Sequence, residues 1–251
     1  MFKEYFENLG NELVKACKPV KSAAVKTAEK GAGKGSPKKP ASSAGIQPAA
    51  YDRDRVRELL ATLVPAHLTL DAVKIADAGG YSPEGVDFVI YREMFRNMDA
   101  MMSAVPSDLA YGALFVNTGL SATSISETLT RVANMKKIDR FGDPQGAGKF
   151  LPAFVLSTDM HMTFQDLKTL ILDFYVSRSL DNFFEFDIMA IVNLGIVVKD
   201  WREKRSFKIL DTGADTMKWF FILLNEYLDV EKEGSLDLRK YVKESAQYRE
   251  Y

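Results

Sequence analysis

AYGALFVNTGL, residues 110–120, decides how the rest of the chain is read. Ala110–Asn117 is short and apolar enough for a strand buried on both faces, and the Thr118–Gly119 pair turns the chain out of it. The next stretch is TSISETLTRVANMKKI, residues 123–138, in which Ile125, Leu129, Val132 and Met135 step by three or four and mark a helix. Lys136 falls near the middle of that stripe by angle, so its stem is expected to pack there while its ammonium reaches water.

The pattern continues on both sides. Upstream, YDRDRVRELLATLVP (residues 51–65) is a helix with Val56, Leu59, Leu60 and Leu63 on one face, stopped by Pro65. LTLDAVKIAD (68–77) alternates as a strand, AGGYSPEG turns, and VDFVIYR (86–92) is a second strand. The methionine-rich stretch holding Met94, Met98, Met101 and Met102 suits a short helix or a covering loop. Downstream, LPAFVLSTD (151–159) is a strand and FQDLKTLILDFYVSRSL (164–180) a helix. FDIMAIVNLGIVVKD (186–200) reads as strand, turn at Asn193–Gly195 and strand, and residues 214–228 as a strongly apolar helix. Alternating helices and strands predict an α/β domain over residues 51–230, followed by a charged helix or tail over 231–251.

The amino-terminal fifth differs. Residues 1–17 form an amphipathic helical arm, with Phe2, Phe6, Leu9, Leu13 and Cys17 as its stripe and Gly10 interrupting it at a cost of about 1 kcal/mol. Residues 18–50, made mostly of Lys, Ala, Gly, Ser and Pro, predict a flexible linker. Residues 1–50 carry nine lysines against four glutamates, about +5 on a chain of net charge −1, which leaves about −6 on the body. The expectations are that Phe2, Phe6, Leu9 and Leu13 bind a partner, and that Lys15, Lys18, Lys21, Lys26, Lys34, Lys38 and Lys39 attract polyanions. No apolar run reaches the eighteen or so residues of a membrane span, the first residues lack a signal-peptide core, and the lone Cys17 excludes an internal disulfide. A cytoplasmic protein is expected.

The order of elements from Leu59 to Lys137, with GGYSPEGVDFVIY, LFVNTGLSATSI and TRVANMKKI in sequence, resembles the core of the PD-(D/E)XK nuclease superfamily, and an uncharacterised bacterial nuclease-like domain family within it. PAFVLSTD and DIMAIVNLGIVV are similar to that family's closing strands, so the resemblance spans about residues 56–228. It implies a mixed sheet flanked by helices. It also implies a divalent-metal site between an Asp opening one strand and a Glu on the next, with a Lys two residues beyond to orient or deprotonate water. Asp87 takes the first position, but Phe115 stands for the acid and Asn117 for the lysine. Phe cannot ligate a hard cation and Asn lacks the basicity of an amine, so the three positions are read as vestigial, with an apolar, metal-free pocket expected beside Asp87. Asp87 alone also reads as an acid capping a tight turn. Relocation of the missing groups to Glu58, Glu127 or Lys136 is the enzymatic alternative.

Other motifs carry less. His67 and His161 lie on separate loop edges, and Asp159-Met-His161 offers two metal ligands without a third. GAGKGS (31–36) and GDPQGAGK (142–149) lack phosphate-loop spacing, and Ser124 and Ser126 lack a base. The sequence therefore predicts a non-catalytic nuclease-like scaffold without cofactor or metal. It would self-associate or dock on a protein through its arm, with nucleic acid or an anionic membrane as alternative partners of the lysines.

Overall fold

The structure is a computed structural model that describes residues 2–18, 51–94, 103–140, 150–203, 205–228 and 249–251. The expected linker, with Lys21, Lys26, Lys34, Lys38 and Lys39, lies outside the described residues, as do both glycine-lysine loops, Met98, Met101 and Met102.

Helix α2 (Arg53–Ala61) opens the domain, its first turn capped by Asp52, whose carboxylate accepts from the Arg55 N–H. Strands β1 (Thr69–Asp71), β3 (Phe88–Tyr91) and β5 (Ala110–Asn117) then form an antiparallel meander, with Leu70 opposite Ile90 and Phe88 opposite Leu114. Helix α3 (Ala122–Met135) crosses over to β6 (Ala153–Ser157), which pairs parallel to β5. This is the helix, three-strand, helix, strand order that the sequence predicted. Two short strands, β2 (Ile75–Ala76) and β4 (Val105–Pro106), pair separately.

The sheet continues through β7 (Ile188–Ile191), β8 (Gly195–Asp200) and β9 (Ser206–Asp211), giving the order β1-β3-β5-β6-β7-β8-β9-β10. Strand β9 escapes the sequence reading, although its burial alternates. The last strand, β10 (Arg249–Glu250), adds to the sheet edge, while residues 231–248 of the expected carboxy-terminal helix or tail lie outside the described residues.

Alternation along the strands divides the core in two. Val89, Phe115, Val155 and Met189 face α3 and α4 (Phe164–Ser177), while Phe88, Leu114, Phe154 and Ile188 face α1 (Phe2–Ala16), α2 and α5 (Thr216–Leu228). Helix α1 is where expected, but its apolar stripe is spent at home. Phe6, Leu9 and Leu13 are buried against the chain's own α2 and α5, which corrects their reading as a partner surface; Phe2 stays 71% exposed. The reason is shape as well as hydropathy. Gly10 sits against the β7–β8 turn, where a Cβ would come 3.0 Å from Asn193 Oδ1, so it permits a close crossing rather than merely weakening the helix. Tyr5 Oη donates to Thr62 Oγ1 at 2.9 Å, and the Asp52 N–H donates to the Ala16 carbonyl at 3.0 Å. The arm thus ends beside the start of the domain.

Candidate functional site

Asp87 opens β3, and the pairing of Phe88 with Leu114 brings it alongside Phe115 on β5. Strand alternation then puts Phe115 and Asn117 toward the same layer, so the three positions named from the sequence share one place in the fold.

The Asp87 carboxylate is engaged from both sides of the sheet. Its Oδ2 accepts the Val116 N–H at 2.8 Å and the Arg131 guanidinium from α3. Its Oδ1 accepts the Tyr51 hydroxyl at 3.1 Å, from the opposite layer. Arg131 also donates its Nε–H to the Gly85 carbonyl at 2.7 Å, which Gly85 aims by taking φ +80, and lies 5.3 Å from the centre of the Phe115 ring. Arg53 donates to the Asp87 carbonyl and stacks over Phe88. The expected apolar pocket beside Asp87 is therefore corrected: the Arg131 guanidinium fills the place and pairs the buried carboxylate.

Phe115 is wholly buried among the α3 and α4 side chains. Asn117 organises the turn out of β5, donating to Thr128 Oγ1 at 3.0 Å and accepting the Gly119 N–H at 2.9 Å. Ser124 completes the α3 capping box with Ser121, which accounts for that hydroxyl structurally. The arm's end reaches this neighbourhood too. Burial pushes the Cys17 thiol up to about 11, eased by a hydrogen bond with Thr158 and reinforced by the Asp87 charge. Burial, then the Asp87 charge, likewise raises the Tyr51 phenol far above its usual value, so it stays a donor.

Two of the three relocation candidates are engaged elsewhere. Glu58 is exposed and pairs with Arg55 at 3.1 Å. Lys136 reaches neither water nor Asp87. Its side chain is 1% exposed and its ammonium bonds Asp187 at 2.7 Å, which corrects the expectation that it extends to solvent. His161 lies 3.7 Å from Asp159, both well exposed, and among the described residues no three His, Cys, Asp or Glu side chains converge as a metal would need. The residues at Asp87 do not fit the metal site that the resemblance implies. Of the lysines read as polyanion contacts, Lys15 is tied to Glu12 at 2.7 Å and Lys18 is exposed.

A second charged cluster went unnoticed in the sequence. Asp187, just before β7, takes Lys136 and the Ala153 N–H at 2.8 Å. Glu185 meets Lys199 of β8 at 3.1 Å, off the line of a good hydrogen bond. Burial raises the Glu185 carboxyl and lowers the Lys199 amine, each opposed by the other's charge. All four side chains are at most 2% exposed.

The chain matches no protein-family model and, at a significant level, no curated protein. Its backbone is similar to solved NucC structures. The cAAA-bound form of NucC from P. aeruginosa ATCC27853 superposes with a TM-score of 0.61 at 10% identity, over 90% of each chain. The cAAA-bound form from E. coli MS115-1 gives 0.61 at 12% identity over the same shares. The apo form of the latter gives 0.57 at 14% identity over 76% of this chain and 89% of that one. With the strand order above, these likenesses establish a PD-(D/E)XK nuclease-like fold.

Proposed function

We propose that this chain, folded as a PD-(D/E)XK-type nuclease, works as a non-catalytic scaffold. One observation carries the reading: Asp87, the acid left at the nuclease position, is bonded by Arg131, Tyr51 and the Val116 N–H, with Phe115 and Asn117 where a second acid and a lysine would be needed. A hard divalent ion would have to displace a guanidinium already neutralising that carboxylate, with no second carboxylate in place. Incubating the full chain and an Asp87→Ala variant with supercoiled DNA and Mg²⁺ or Mn²⁺ tests this. Equal, background-level nicking is expected. Metal-dependent cleavage that the variant loses would overturn it.

The scaffold's contacts are with protein, a second copy included. Burial of Phe6, Leu9 and Leu13 leaves Phe2 and Tyr5, 71% and 47% exposed, as the arm's outward apolar surface. Light scattering over a concentration series is expected to show association in the full chain that Phe2→Ser weakens. An unchanged monomer in both removes self-association from the reading.

A further inference from the structure

The Glu185–Lys199 pair has a feature the scaffold reading does not use. The Lys199 ammonium is enclosed by three groups of different kinds. Glu185 Oε2 lies at 3.1 Å, the Asn182 carbonyl accepts a hydrogen bond from it, and the Trp201 ring centre is 3.7 Å away. Trp201 is 45% exposed, so its indole is the outer wall of an otherwise buried cation. Its own Nε1–H donates to Tyr227 Oη at 3.0 Å. Trp201 begins the turn from β8 to β9, in which the Arg202 N–H donates to Asp200 Oδ1 at 3.0 Å. The ring's attraction for Lys199 depends on the ammonium charge, because a neutral amine offers no monopole to the ring quadrupole.

We propose that Trp201 and Lys199 form a proton-sensitive latch on the β8–β9 turn. With Lys199 charged, the indole is held over it and the turn is tied to the segment before β7. When Lys199 gives up its proton, that tie is lost and the turn loosens. Groups from every neighbouring element set the balance. Glu185 and Asp187 hold the proton on Lys199, Lys136 opposes them from the α3 cap, and Arg205 faces Glu185 from beyond the turn. Tyr175 of α4 and Tyr227 of α5 stay neutral meanwhile, the first raised well above 10 and the second to about 12, both by burial. Burial moves the Lys199 amine below its ordinary value, which brings the transition below 10.5.

The chain has two tryptophans, so a Trp219→Phe variant leaves Trp201 as the only one. Its emission is expected to change between pH 7 and 10.5 with a midpoint below the 10.5 of an ordinary lysine. The change should vanish in a Glu185→Gln, Lys199→Met variant, which leaves no uncompensated charge. Hydrogen exchange of the Trp201, Arg202 and Glu203 amides in the unmodified chain supplies a second readout, corrected for the intrinsic pH dependence. It should accelerate through the same midpoint. A flat emission profile with flat corrected exchange, or a transition that survives the double variant, overturns the latch.

Discussion

Two carboxylate sites on one sheet solve the same problem in different surroundings. Asp87 bonds the N–H of Val116, near the end of β5, whereas Asp187 bonds the N–H of Ala153, the first residue of β6. Each has a cation from α3 or its carboxy-terminal cap, Arg131 for the first and Lys136 for the second, five residues apart in sequence. At the Asp87 end the side chains are 11% and 28% exposed, and backbone and hydroxyl donors share the charge. At the Asp187 end nothing reaches water. A partly wet carboxylate with several donors tolerates the loss of one of them, whereas a dry ion pair leaves a bare charge when either partner goes. The Asp87 carboxylate therefore keeps donors when one is removed. The dry end holds its partners as a unit.

The largest effect is expected at the dry end. Lys136→Met leaves Asp187 buried with its backbone donor alone and should cost about 3–5 kcal/mol in urea denaturation. Adding Asp187→Leu removes the stranded charge and should restore much of that loss, although the Ala153 N–H then lacks its acceptor. If Lys136→Met alone costs under about 1 kcal/mol, water enters this end and the contrast disappears.

At the Asp87 end, Arg131→Met should cost less, about 1.5–3 kcal/mol, because Tyr51 and Val116 still donate to the carboxylate. Tyr51→Phe removes one hydroxyl donor and should cost about 0.5–1.5 kcal/mol in the same assay. A double-mutant cycle on these two residues sharpens the point. Each donates to a different carboxylate oxygen, and the loss of one should make the other matter more. Strict additivity would mean that the remaining oxygens are satisfied by water.

These contrasts also mark where sequence reading succeeds. The run of β3, β5, α3 and β6 is set by alternation and three-to-four stepping, both local patterns. The placement of Asp87 with Phe115 and Asn117 comes from counting residues along paired strands. Arg131 and Lys136 sit on α3 and its cap as an ordinary arginine and an apparently misplaced lysine, and their role is decided by groups 44 and 51 residues away. No local period encodes that distance. Helix α1 shows the same limit. Its stripe announces burial, but not that the covering groove is made by α2 and by α5, two hundred residues on. Strand β9 is hard to read because it holds only three apolar residues, Phe207, Ile209 and Leu210, broken by exposed Lys208 and closed by Asp211, while pairing to β8 is what holds it.

The smallest effect distinguishes the two ends by pH rather than by mutation alone. Burial raises the Glu185 carboxyl above its ordinary 4.5, so the folded chain binds that proton more tightly than the unfolded chain does. The stabilisation is therefore fully present below 4.5 and is lost as pH rises through the folded value. Lys199 has the mirror behaviour: its folded value is depressed, so stability is gained above 10.5 and lost as pH falls through the folded value. Between the two folded values both charges are present and their burial is a net cost. Glu185→Gln, measured from pH 4.5 to 7, should flatten the part of the profile that falls with rising pH. If Glu185→Gln changes the midpoint equally at every pH, the carboxyl is not held in its neutral form by burial. The burial penalty that sets the dry end apart would then be absent.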